Sequence, residues 1–355
     1  MTGADMSFYK GKKVLVTGHT GFKGSWMTKV LLMAGAEVSG YALEPPTQPS
    51  LFNQINLSKD MRSIEGDIRD LEQLRKAFQE IKPEVVIHMA AQPIVRDSYQ
   101  RPVYTYETNV MGTVNMLECV RVSGSVRSVV NVTTDKVYRN EEREAGYREE
   151  EYLDGYDPYS NSKSCSELVT SSYRKSFLNE QGIAVSTMRA GNVIGGGDYA
   201  ADRIVPDCIR AAEAGKDIIV RNPDSIRPYQ HVLEPVMAYL LVAARQYECF
   251  ELSGCYNVGP DDCDCVSTGT LAGMFCELWK EKTGKTLRWE NQFVGGPHEA
   301  NFLKLNCKKI KETFGWKPHW HVKDALKECV DFANRSEQAD IYMERQIERY
   351  ASSKL

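Results

Sequence analysis

The sequence predicts an α/β fold in which a doubly wound parallel sheet is followed by a smaller, mixed α/β C-terminal domain. Short runs of β-branched residues alternate with longer helical patterns through the first half of the chain. This alternation is typical of parallel strands joined by helices on both faces of a sheet. A length of 355 residues also suits about two domains, at roughly 150 residues each.

The individual elements follow from the spacing of apolar residues. The predicted strands are 13–18, 37–43, 84–90, 128–134 and 184–190. The predicted helices, with apolar residues at three-four spacing, are 22–33, 71–81, 103–121 and 158–179. A Gly-rich stretch, GNVIGGGDYAADRIVPD, then interrupts regular structure. We therefore assign the sheet domain to 1–190, with segments near 228–260 returning to it, and the second domain mainly to 191–355.

The composition indicates an ordinary globular protein with a small-molecule partner. Hydrophobic residues make up 42% and charged residues 26%, and the net charge is only −4 at pH 7. Dense Lys/Arg blocks are absent, so we expect no nucleic-acid partner and no anionic membrane surface. The longest apolar run, 236–244, is far shorter than the roughly 20 residues that span a bilayer. The chain starts without the apolar core of a secretory signal, which favours a cytoplasmic protein.

The ten cysteines are scattered, and we expect them to be reduced thiols. The tightest group comprises Cys249, Cys255, Cys263 and Cys265. Zinc is the alternative for this group, but its spacing lacks the paired clips that structural zinc sites usually show. We therefore expect no metal.

A glycine-rich loop joins the first strand to the first helix. The stretch VLVTGHTGFKGSW places Gly18, Gly21 and Gly24 at this junction. In a dinucleotide loop the first glycine allows the tight turn, the second admits the pyrophosphate, and the third lets the helix pack against the strand. The helix amino terminus supplies unpaired N–H groups and a positive dipole. A purely structural turn is the alternative, but the βαβ context favours a Rossmann-type dinucleotide site.

The residues at the end of the second strand distinguish NAD from NADP less clearly than the glycine-rich loop identifies a dinucleotide site. An acid that accepts from the adenosine ribose is expected there, but Ala42 occupies the position and Glu44 lies two residues later. In EGDIRD, Asp67 and Ile68 are candidates for the adenine edge. A helix-start role for Asp67 is equally compatible with the pattern.

Tyr159 and Lys163 are four residues apart and therefore share one face of a predicted helix. A lysine ammonium near a phenol favours the phenolate, which lowers the pKa of the phenol from about 10. Such a tyrosine can take a proton from an alcohol as hydride leaves for a nicotinamide. A solvent-exposed aromatic-lysine pair is the alternative.

The stretch NVTTDKVY ends a buried strand with a carboxylate and an ammonium side by side, Asp135 and Lys136. Ligands of parallel sheets bind beyond the carboxyl ends of the strands, so these charges are expected to point into a cleft. A solvated salt-bridging pair is the alternative. The glycine loop and the Tyr159-Lys163 pair favour the cleft.

Taken together, TGxxGxxG, HMAAQP, ETNVMGT, TTDK and YxxxK resemble the extended short-chain dehydrogenase/reductase superfamily, in its sugar-nucleotide branch. Over nearly the whole chain, TGHTGFKGSW, AAQPIVRDSY, AGNVIGGGD, RPYQHVLEP and PHEANFLKLNCKK resemble the group of 4,6-dehydratases that acts on CDP-glucose. His19 and Lys23, and Lys136 where dTDP-glucose dehydratases carry Glu, distinguish that group.

The resemblance implies NAD as cofactor, CDP-glucose as substrate, and a homodimer or homotetramer packed through the helices near 103–121 and 158–179. The implied cofactor-binding residues are Gly18, His19, Thr20, Gly21, Phe22, Lys23, Gly24, Asp67, Ile68, Ala90, Ala91, Gln92, Asn109, Tyr159 and Lys163. Asn109 would orient the catalytic helix or a water near Lys163, or else make a simple internal helix contact. Asn192, Arg203 and Arg227 would hold the substrate pyrophosphate, with Gln230 or His298 nearby.

The implied reaction is an internal oxidation and reduction. Tyr159, with Lys163 and Thr134, would take the 4-hydroxyl proton, and neutral Lys136 would then remove the proton on carbon 5. Protonated Asp135 would help the 6-hydroxyl leave as water. The protonation states of Asp135 and Lys136 are then the reverse of those of the free groups at pH 7. Another nucleotide-sugar 4,6-dehydratase, an epimerase and a non-catalytic NAD-sensing module are the alternatives.

Overall fold

The computed structural model of the chain describes residues 6–292 and 302–352. Its strands are β1 (Lys13–Thr17), β2 (Glu37–Ala42), β3 (Arg62–Glu65), β4 (Val85–His88), β5 (Ser128–Val132), β6 (Ala184–Ala190), β7 (Val193–Ile194), β8 (Ile218–Val220), β9 (Ile226–Pro228), β10 (Gln230–His231), β11 (Cys255–Val258), β12 (Cys265–Ser267) and β13 (Trp289–Asn291). The helices are α1 (Phe22–Met33), α2 (Leu51–Gln54), α3 (Leu71–Ile81), α4 (Val95–Gln100), α5 (Pro102–Tyr106), α6 (Gly112–Ser123), α7 (Pro158–Tyr173), α8 (Ile204–Glu213), α9 (Leu233–Glu248), α10 (Thr268–Thr283), α11 (Lys308–Phe314), α12 (Val322–Ala333) and α13 (Ala339–Ser352).

Seven strands form one parallel sheet in the order β3-β2-β1-β4-β5-β6-β11. The strand order reverses between β1 and β4, and in such sheets the crevice for a ligand opens at this point. The predicted Rossmann-type α/β fold is therefore confirmed. Three further pairs of short strands, β7 with β10, β8 with β13 and β9 with β12, lie outside the sheet.

The five predicted strands are present, with ends that differ by at most two residues. The sequence pattern missed β3, which lies at the sheet edge and is mostly exposed, so that it shows no apolar run. It did not predict β11 as a strand, although β11 lies within the segments near 228–260 that were expected to return to the sheet domain. The division of the chain at residue 190 stays a prediction.

Two of the four predicted helices, 22–33 and 71–81, match α1 and α3. The other two are interrupted by wide turns of π-helical geometry, at Glu107–Met111 and Arg174–Leu178. Each is one wide turn next to regular α-helix, so the spacing of apolar residues predicts a helix there but does not reveal the wide turn.

Hydrophobic side chains from the helices cover both faces of the sheet. One face packs against α1 and α9 through residues such as Trp26, Val30 and Leu240, and the other packs against α3 and α6 through Phe78 and Leu117. A third cluster joins α8, α10 and α12 after the sheet ends. None of the helices within 6–292 and 302–352 is long and apolar enough to cross a membrane.

A buried ion pair fixes α7 to the sheet. Arg189 of β6 donates to Glu167 of α7 at 2.8 Å, and the two side chains are only 3% and 1% exposed. Thr133 and Thr187 also donate to the Glu167 carboxylate. Because the charges are paired and hydrogen-bonded, the desolvation of each is offset.

Replacing Glu167 with Gln is expected to lower the free energy of unfolding by about 3 kcal/mol, because the Arg189 charge stays buried without its counterion. The measurement is urea denaturation followed by circular dichroism. The matched control is Glu312→Gln, which breaks an exposed pair with Lys308 and is expected to change stability by less than about 0.5 kcal/mol. Equal effects of the two substitutions would contradict the importance of the buried pair.

Candidate active site

A cavity of about 1410 Å³ opens at the carboxyl ends of the sheet strands. Its walls come from the glycine-rich loop, the segments that follow β4, β5 and β6, the start of α7, and the chain around α8 and β9. The cavity therefore lies where the reversal of strand order predicts a ligand.

The glycine-rich loop has the shape of a phosphate-binding loop. A Cβ at Gly18 would lie 2.7 Å from Ala90 N, and one at Gly24 would lie 2.1 Å from Gly18 O, so the fold itself demands both glycines. A Cβ at Gly21 would meet only Gly18 O, at 3.5 Å. Gly21 precedes α1, whose first turn carries no acidic residue and no side-chain cap. Space over Gly21 and unpaired N–H groups of α1 therefore fit the pyrophosphate of a dinucleotide.

The side chains of His19 and Lys23, in the glycine-rich loop, point in different directions. The buried His19 ring lies away from the cavity, with Nε2 2.7 Å from Ser63 Oγ and the ring edge-on to Phe52. Burial lowers the pKa of His19 to about 4, so the ring is neutral at pH 7. Lys23 lines the cavity instead, and burial, helped by Arg203, lowers its pKa to about 7.

The ends of β2 and β3 form the far side of the cavity. Ala42 and Glu44 both line it, and so do Asp67 and Ile68. The hydrogen bonds from Arg69 hold the pKa of Asp67 below its usual value. The helix-start role considered for Asp67 belongs to Asp70, whose carboxylate accepts from Gln73 N at 3.0 Å.

The segment after β4 is held by an amide side chain. Ala90, Ala91 and Gln92 line the cavity. Asn109, which is buried behind them, accepts from Gln92 N at 2.8 Å and donates to Gln92 O at 3.1 Å. Its Nδ2 also donates to Ser162 Oγ of α7 at 2.8 Å. Asn109 therefore ties the segment after β4 to α7, and its role in the site stays a prediction.

The segment after β5 brings three functional side chains to the cavity. Thr134, Asp135 and Lys136 all line it. Thr134 Oγ1 donates to Asp135 Oδ1 at 2.9 Å and accepts from Lys136 N at 3.4 Å. Asp135 is only 1% exposed, and its Oδ2 has no hydrogen-bond partner among the described residues. Lys136 is partly buried, so the pair is not the solvated salt bridge considered as an alternative.

Helix α7 brings Tyr159 and Lys163 to the same cavity. The helix begins with Pro158 after Asp157, whose carboxylate accepts from Ser160 N at 2.9 Å. Lys163 Nζ donates to Val132 O, at the end of β5, at 3.1 Å.

The ionisation of this pair is dominated by burial. Burial raises the pKa of Tyr159 to about 12, and its hydrogen bond with Thr134 acts in the opposite direction. Burial lowers the pKa of Lys163 to about 8. The sequence predicted a lowered pKa for the phenol, but the loss of water around the phenolate and the nearby Asp135 carboxylate raise the pKa of Tyr159 more than Thr134 and Arg203 lower it.

The predicted substrate residues divide into two groups. Asn192, Arg203 and Arg227 line the cavity, and the buried Asn192 Nδ2 has no hydrogen-bond partner among the described residues. Arg203 pairs with Asp198 at 3.0 Å. Gln230 lies behind the cavity wall and donates to Val258 O at 2.9 Å. His298 lies outside the described residues.

The structure adds Gly191 to the site. A Cβ there would lie 2.6 Å from Asp135 Oδ2 and 2.8 Å from Pro228 Cγ, so only glycine leaves room for this carboxylate. The sequence offered one signal, because Gly191 opens the conspicuous stretch GNVIGGGD. Asp135, the residue that Gly191 approaches, is 56 residues away in the chain, so the sequence pattern could not reveal this contact.

A group of possible metal ligands lies elsewhere in the described residues. Cys263, Asp264 and His321 bring ligand atoms within 4.8 Å of one another. His321 Nδ1 lies 2.9 Å from Asp264 Oδ2, and Val322 N donates to Asp264 Oδ1 at 2.9 Å. Both carboxylate oxygens therefore already have partners at the start of α12. The other three cysteines considered for zinc do not join this group.

Comparison with known proteins gives a family and close relatives. Residues 15–329 match the family model described as GDP-mannose 4,6 dehydratase. The chain is 48% identical to the CDP-glucose 4,6-dehydratase of Salmonella typhimurium, over 98% of this chain and 99% of that protein. It is also 24% identical to the CDP-paratose 2-epimerase of Salmonella typhi, over 91% of this chain and 99% of that protein.

Solved structures share the fold. The UDP-glucose 4-epimerase of Thermus thermophilus, in complex with NAD, superposes with a TM-score of 0.77 at 26% identity, covering 91% of this chain and 99% of that one. The dTDP-glucose 4,6-dehydratase of Bacillus anthracis, also in complex with NAD, gives a TM-score of 0.76 at 23% identity, covering 92% of this chain and 98% of that one. A nucleotide-sugar enzyme with either chemistry can therefore have this fold.

The two glycines of the loop allow a test of the expected dinucleotide site. Gly21→Ala is expected to weaken NAD binding at least about tenfold, because its methyl group fills the space open to the pyrophosphate. The melting temperature should change little, since the added Cβ makes only an ordinary contact within the protein. NAD binding is measured by titration calorimetry.

Gly24→Ala is the matched comparison, because its Cβ would overlap the backbone of Gly18 and the chain should lose stability. Undiminished NAD binding by a folded Gly21→Ala protein would remove the loop from the cofactor site.

Proposed function

The chain belongs to the GDP-mannose 4,6 dehydratase family, and from this premise we propose that it is an NAD-dependent CDP-glucose 4,6-dehydratase. Its product would be CDP-4-keto-6-deoxyglucose. One observation carries the choice of reaction. Asp135 and Lys136, an acid and a base, share one cavity with the Tyr159-Lys163 pair. A simple alcohol oxidation needs only the second pair, whereas loss of water also needs the first.

The choice of CDP-glucose within the family rests on the close relative. At 48% identity over nearly the whole of both chains, the Salmonella typhimurium enzyme named for CDP-glucose is the basis for this substrate. Lys136, where dTDP-glucose dehydratases carry Glu, supports the same choice. Within the wider family the substrate base varies, so the fold alone would not decide it.

The cofactor would lie along the carboxyl ends of β1 and β4. We assign the pyrophosphate to Gly21 and the start of α1, the adenosine end to Asp67 and Ile68, and the nicotinamide end to the wall with Tyr159 and Lys163. Bound NAD+ would accept a hydride from carbon 4 of the hexose, return it to carbon 6, and place a positive charge in the cavity.

Tyr159 is assigned the role of base in the oxidation. Its buried phenol lines the cavity, as Thr134 does, and it would take the 4-hydroxyl proton. Burial alone raises the pKa of Tyr159, so the phenolate needs neighbouring positive charge. Lys163 and Lys23 are the lysines near this position, and each has a lowered pKa because of burial.

Asp135 and Lys136 are assigned the elimination. The ketone at carbon 4 acidifies the proton on carbon 5, and Lys136 as a neutral amine would remove it. Asp135 would donate a proton to the departing 6-hydroxyl, and its unpartnered Oδ2 faces Gly191 in a space that excludes a larger residue. Lys136 would return its proton to carbon 5 after carbon 6 is reduced.

The substrate pyrophosphate would bind at the opposite end of the cavity. Arg203 and Arg227 supply guanidinium groups, which match phosphate oxygens better than an ammonium does. Asn192 also lines the cavity. Its Nδ2 has no hydrogen-bond partner among the described residues and would supply a further donor to the pyrophosphate. Gln230 would act only indirectly, through the backbone around Gly191.

We also propose a homodimer packed through α5, α6 and α7. These helices carry large apolar side chains that are exposed in the single chain, notably Val103 at 69%, Val122 at 53% and Leu168 at 58%. Apolar side chains grouped on neighbouring helices are typical of a protein interface.

The alternatives differ in their products. An epimerase would return a hexose of unchanged composition, another 4,6-dehydratase would prefer a different base, and an NAD-sensing module would convert no sugar nucleotide. We expect the protein with NAD+ to remove one water from CDP-glucose, and to act on dTDP-glucose and GDP-mannose at least about tenfold more slowly. Mass spectrometry of the three reactions measures this. Isomerisation without loss of water, or no turnover, would contradict the proposal.

Lys136→Met tests the assigned base. Without the amine, proton removal from carbon 5 should fall by about 10² or more, while NAD binding stays unchanged. Incorporation of solvent deuterium at carbon 5 of the product, measured by NMR, reports this step directly. Lys285→Met, at an exposed lysine outside the cavity, is the matched control and should behave as the native protein. Normal deuterium incorporation by Lys136→Met would remove Lys136 from the reaction.

A further inference from the structure

One cluster of metal-ligating side chains lies outside the cavity and has no part in the proposed reaction. Cys263 and Asp264 belong to the turn that precedes β12, and His321 directly precedes α12. The sulfur, a carboxylate oxygen and a ring nitrogen of these three residues lie within 4.8 Å of one another. Thiolate sulfur, carboxylate oxygen and imidazole nitrogen are the three kinds of ligand atom that proteins offer to zinc.

The distances between the ligand atoms fit the edges of a tetrahedron around one ion. Cys263 Sγ lies 3.6 Å from Asp264 Oδ2, and His321 Nδ1 lies 2.9 Å from the same oxygen. Zinc bonds of about 2.3 Å to sulfur and about 2.0 Å to nitrogen and oxygen require tetrahedral edges of about 3.5 Å and about 3.3 Å. The observed edges differ from these by less than about 0.5 Å, so small side-chain movements would complete three corners of the tetrahedron.

The ligands are held in place by the backbone around them. Asp264 is only 5% exposed, and its Oδ1 accepts from Val322 N at 2.9 Å, while its Oδ2 faces the other two ligands. Asp324 Oδ2 accepts from His321 N at 3.2 Å and fixes the start of α12. An ion that binds ligands already in place loses little free energy to their ordering.

The charges around the cluster favour a cation. The carboxylates of Asp264 and Asp324 both raise the pKa of His321, and the hydrogen bond with Asp264 has the largest effect. Neither carboxylate pairs with a lysine or an arginine among the described residues. The side chains of Cys263 and His321 are exposed, so an ion from solution can reach the cluster.

We propose that Cys263, Asp264 and His321 bind one zinc ion through Sγ, Oδ2 and Nδ1, with water at the fourth position. Binding replaces the contact between His321 and Asp264, releases the Cys263 thiol proton to solvent, and leaves the proton of the neutral imidazole on Nε2. The site goes beyond the proposed dehydratase reaction and does not depend on it. It differs from the sequence-based expectation of no metal, because no local pattern joins Cys263 to a histidine 58 residues away.

The ion would join the turn before β12 to the start of α12. Strand β12 pairs with β9 in a register that places Val266 opposite Arg227, and Arg227 lines the cavity. An ion that binds the folded chain and not the unfolded chain stabilises the fold by mass action. We therefore expect zinc to stabilise the region that supports this wall of the cavity, without taking part in the chemistry there.

The test is a titration of the full chain with Co²⁺ after metals have been removed with a chelator. Co²⁺ occupies zinc sites and shows a charge-transfer absorption band when a thiolate binds it. The native protein should bind one equivalent with this band, and Zn²⁺ should displace it. Cys263→Ser should abolish the band. His321→Asn, which keeps a side chain that can cap α12, should weaken Co²⁺ binding at least about tenfold. Absence of the band in the native protein would overturn the proposal.

Cys249→Ser is the matched control. Cys249 is also exposed, and its Sγ lies 3.3 Å from a carboxylate oxygen of Glu251, but it belongs to no group of three such ligands among the described residues. Cys249→Ser should therefore keep both the band and the affinity. Equal losses in Cys249→Ser and Cys263→Ser would show that Co²⁺ binds any exposed thiol, which would contradict the site.

Two measurements on the native protein keep the test decisive should the variants fail to fold. Zn²⁺ at about 100 times its dissociation constant should raise the melting temperature by about 3 °C. Zn²⁺ should also protect Cys263, and not Cys249, from alkylation, as measured by mass spectrometry of peptides. Alkylation of Cys263 that Zn²⁺ leaves unchanged would overturn the proposal. None of these measurements uses a sugar nucleotide, so their outcome is independent of the proposed function.

Discussion

The docking of α7 against the end of β5 is the constraint on which the candidate site depends. Lys163 donates to the last carbonyl of β5, and Ser164 Oγ donates to Val137 O, just after the acid-base pair, at 2.7 Å. The buried pair of Glu167 and Arg189 holds the next turn of the helix to β6. Three successive contacts therefore fix the phenol of Tyr159 relative to the segment that follows β5. The relative positions of a base and an acid are therefore set by buried side chains that bind the backbone or one another.

Burial then determines the ionisation of the groups that these contacts bring together. The same loss of water raises the pKa of Tyr159 and lowers the pKa values of Lys163 and Lys23. Neutral forms are favoured on both sides, so small changes in nearby charge shift protons between the groups. A site of this kind suits a reaction in which protons are taken and returned several times.

The shared fold explains why related proteins carry out different reactions. The fold is shared with an epimerase and a dehydratase whose structures contain NAD, and in this chain Gly18 and Gly24 of the glycine-rich loop are required by backbone contacts. In this chain the short segment after β5 carries Asp135 and Lys136, to which we assign the elimination. An acid and a base at these two positions would add an elimination to the oxidation without any change to the scaffold.

The sequence by itself determined the parallel sheet, the glycine-rich loop and the candidate pairs Tyr159-Lys163 and Asp135-Lys136, because each depends on residues close together in the chain. It could not give the edge strand β3, the inward direction of His19, or the wide turns within two helices. Only the tertiary structure decided that Gly191 shapes the space beside Asp135, that Gln230 lies behind the cavity wall, and that burial raises the pKa of Tyr159. These properties arise from atoms far apart in sequence and from the exclusion of water, which no local pattern records.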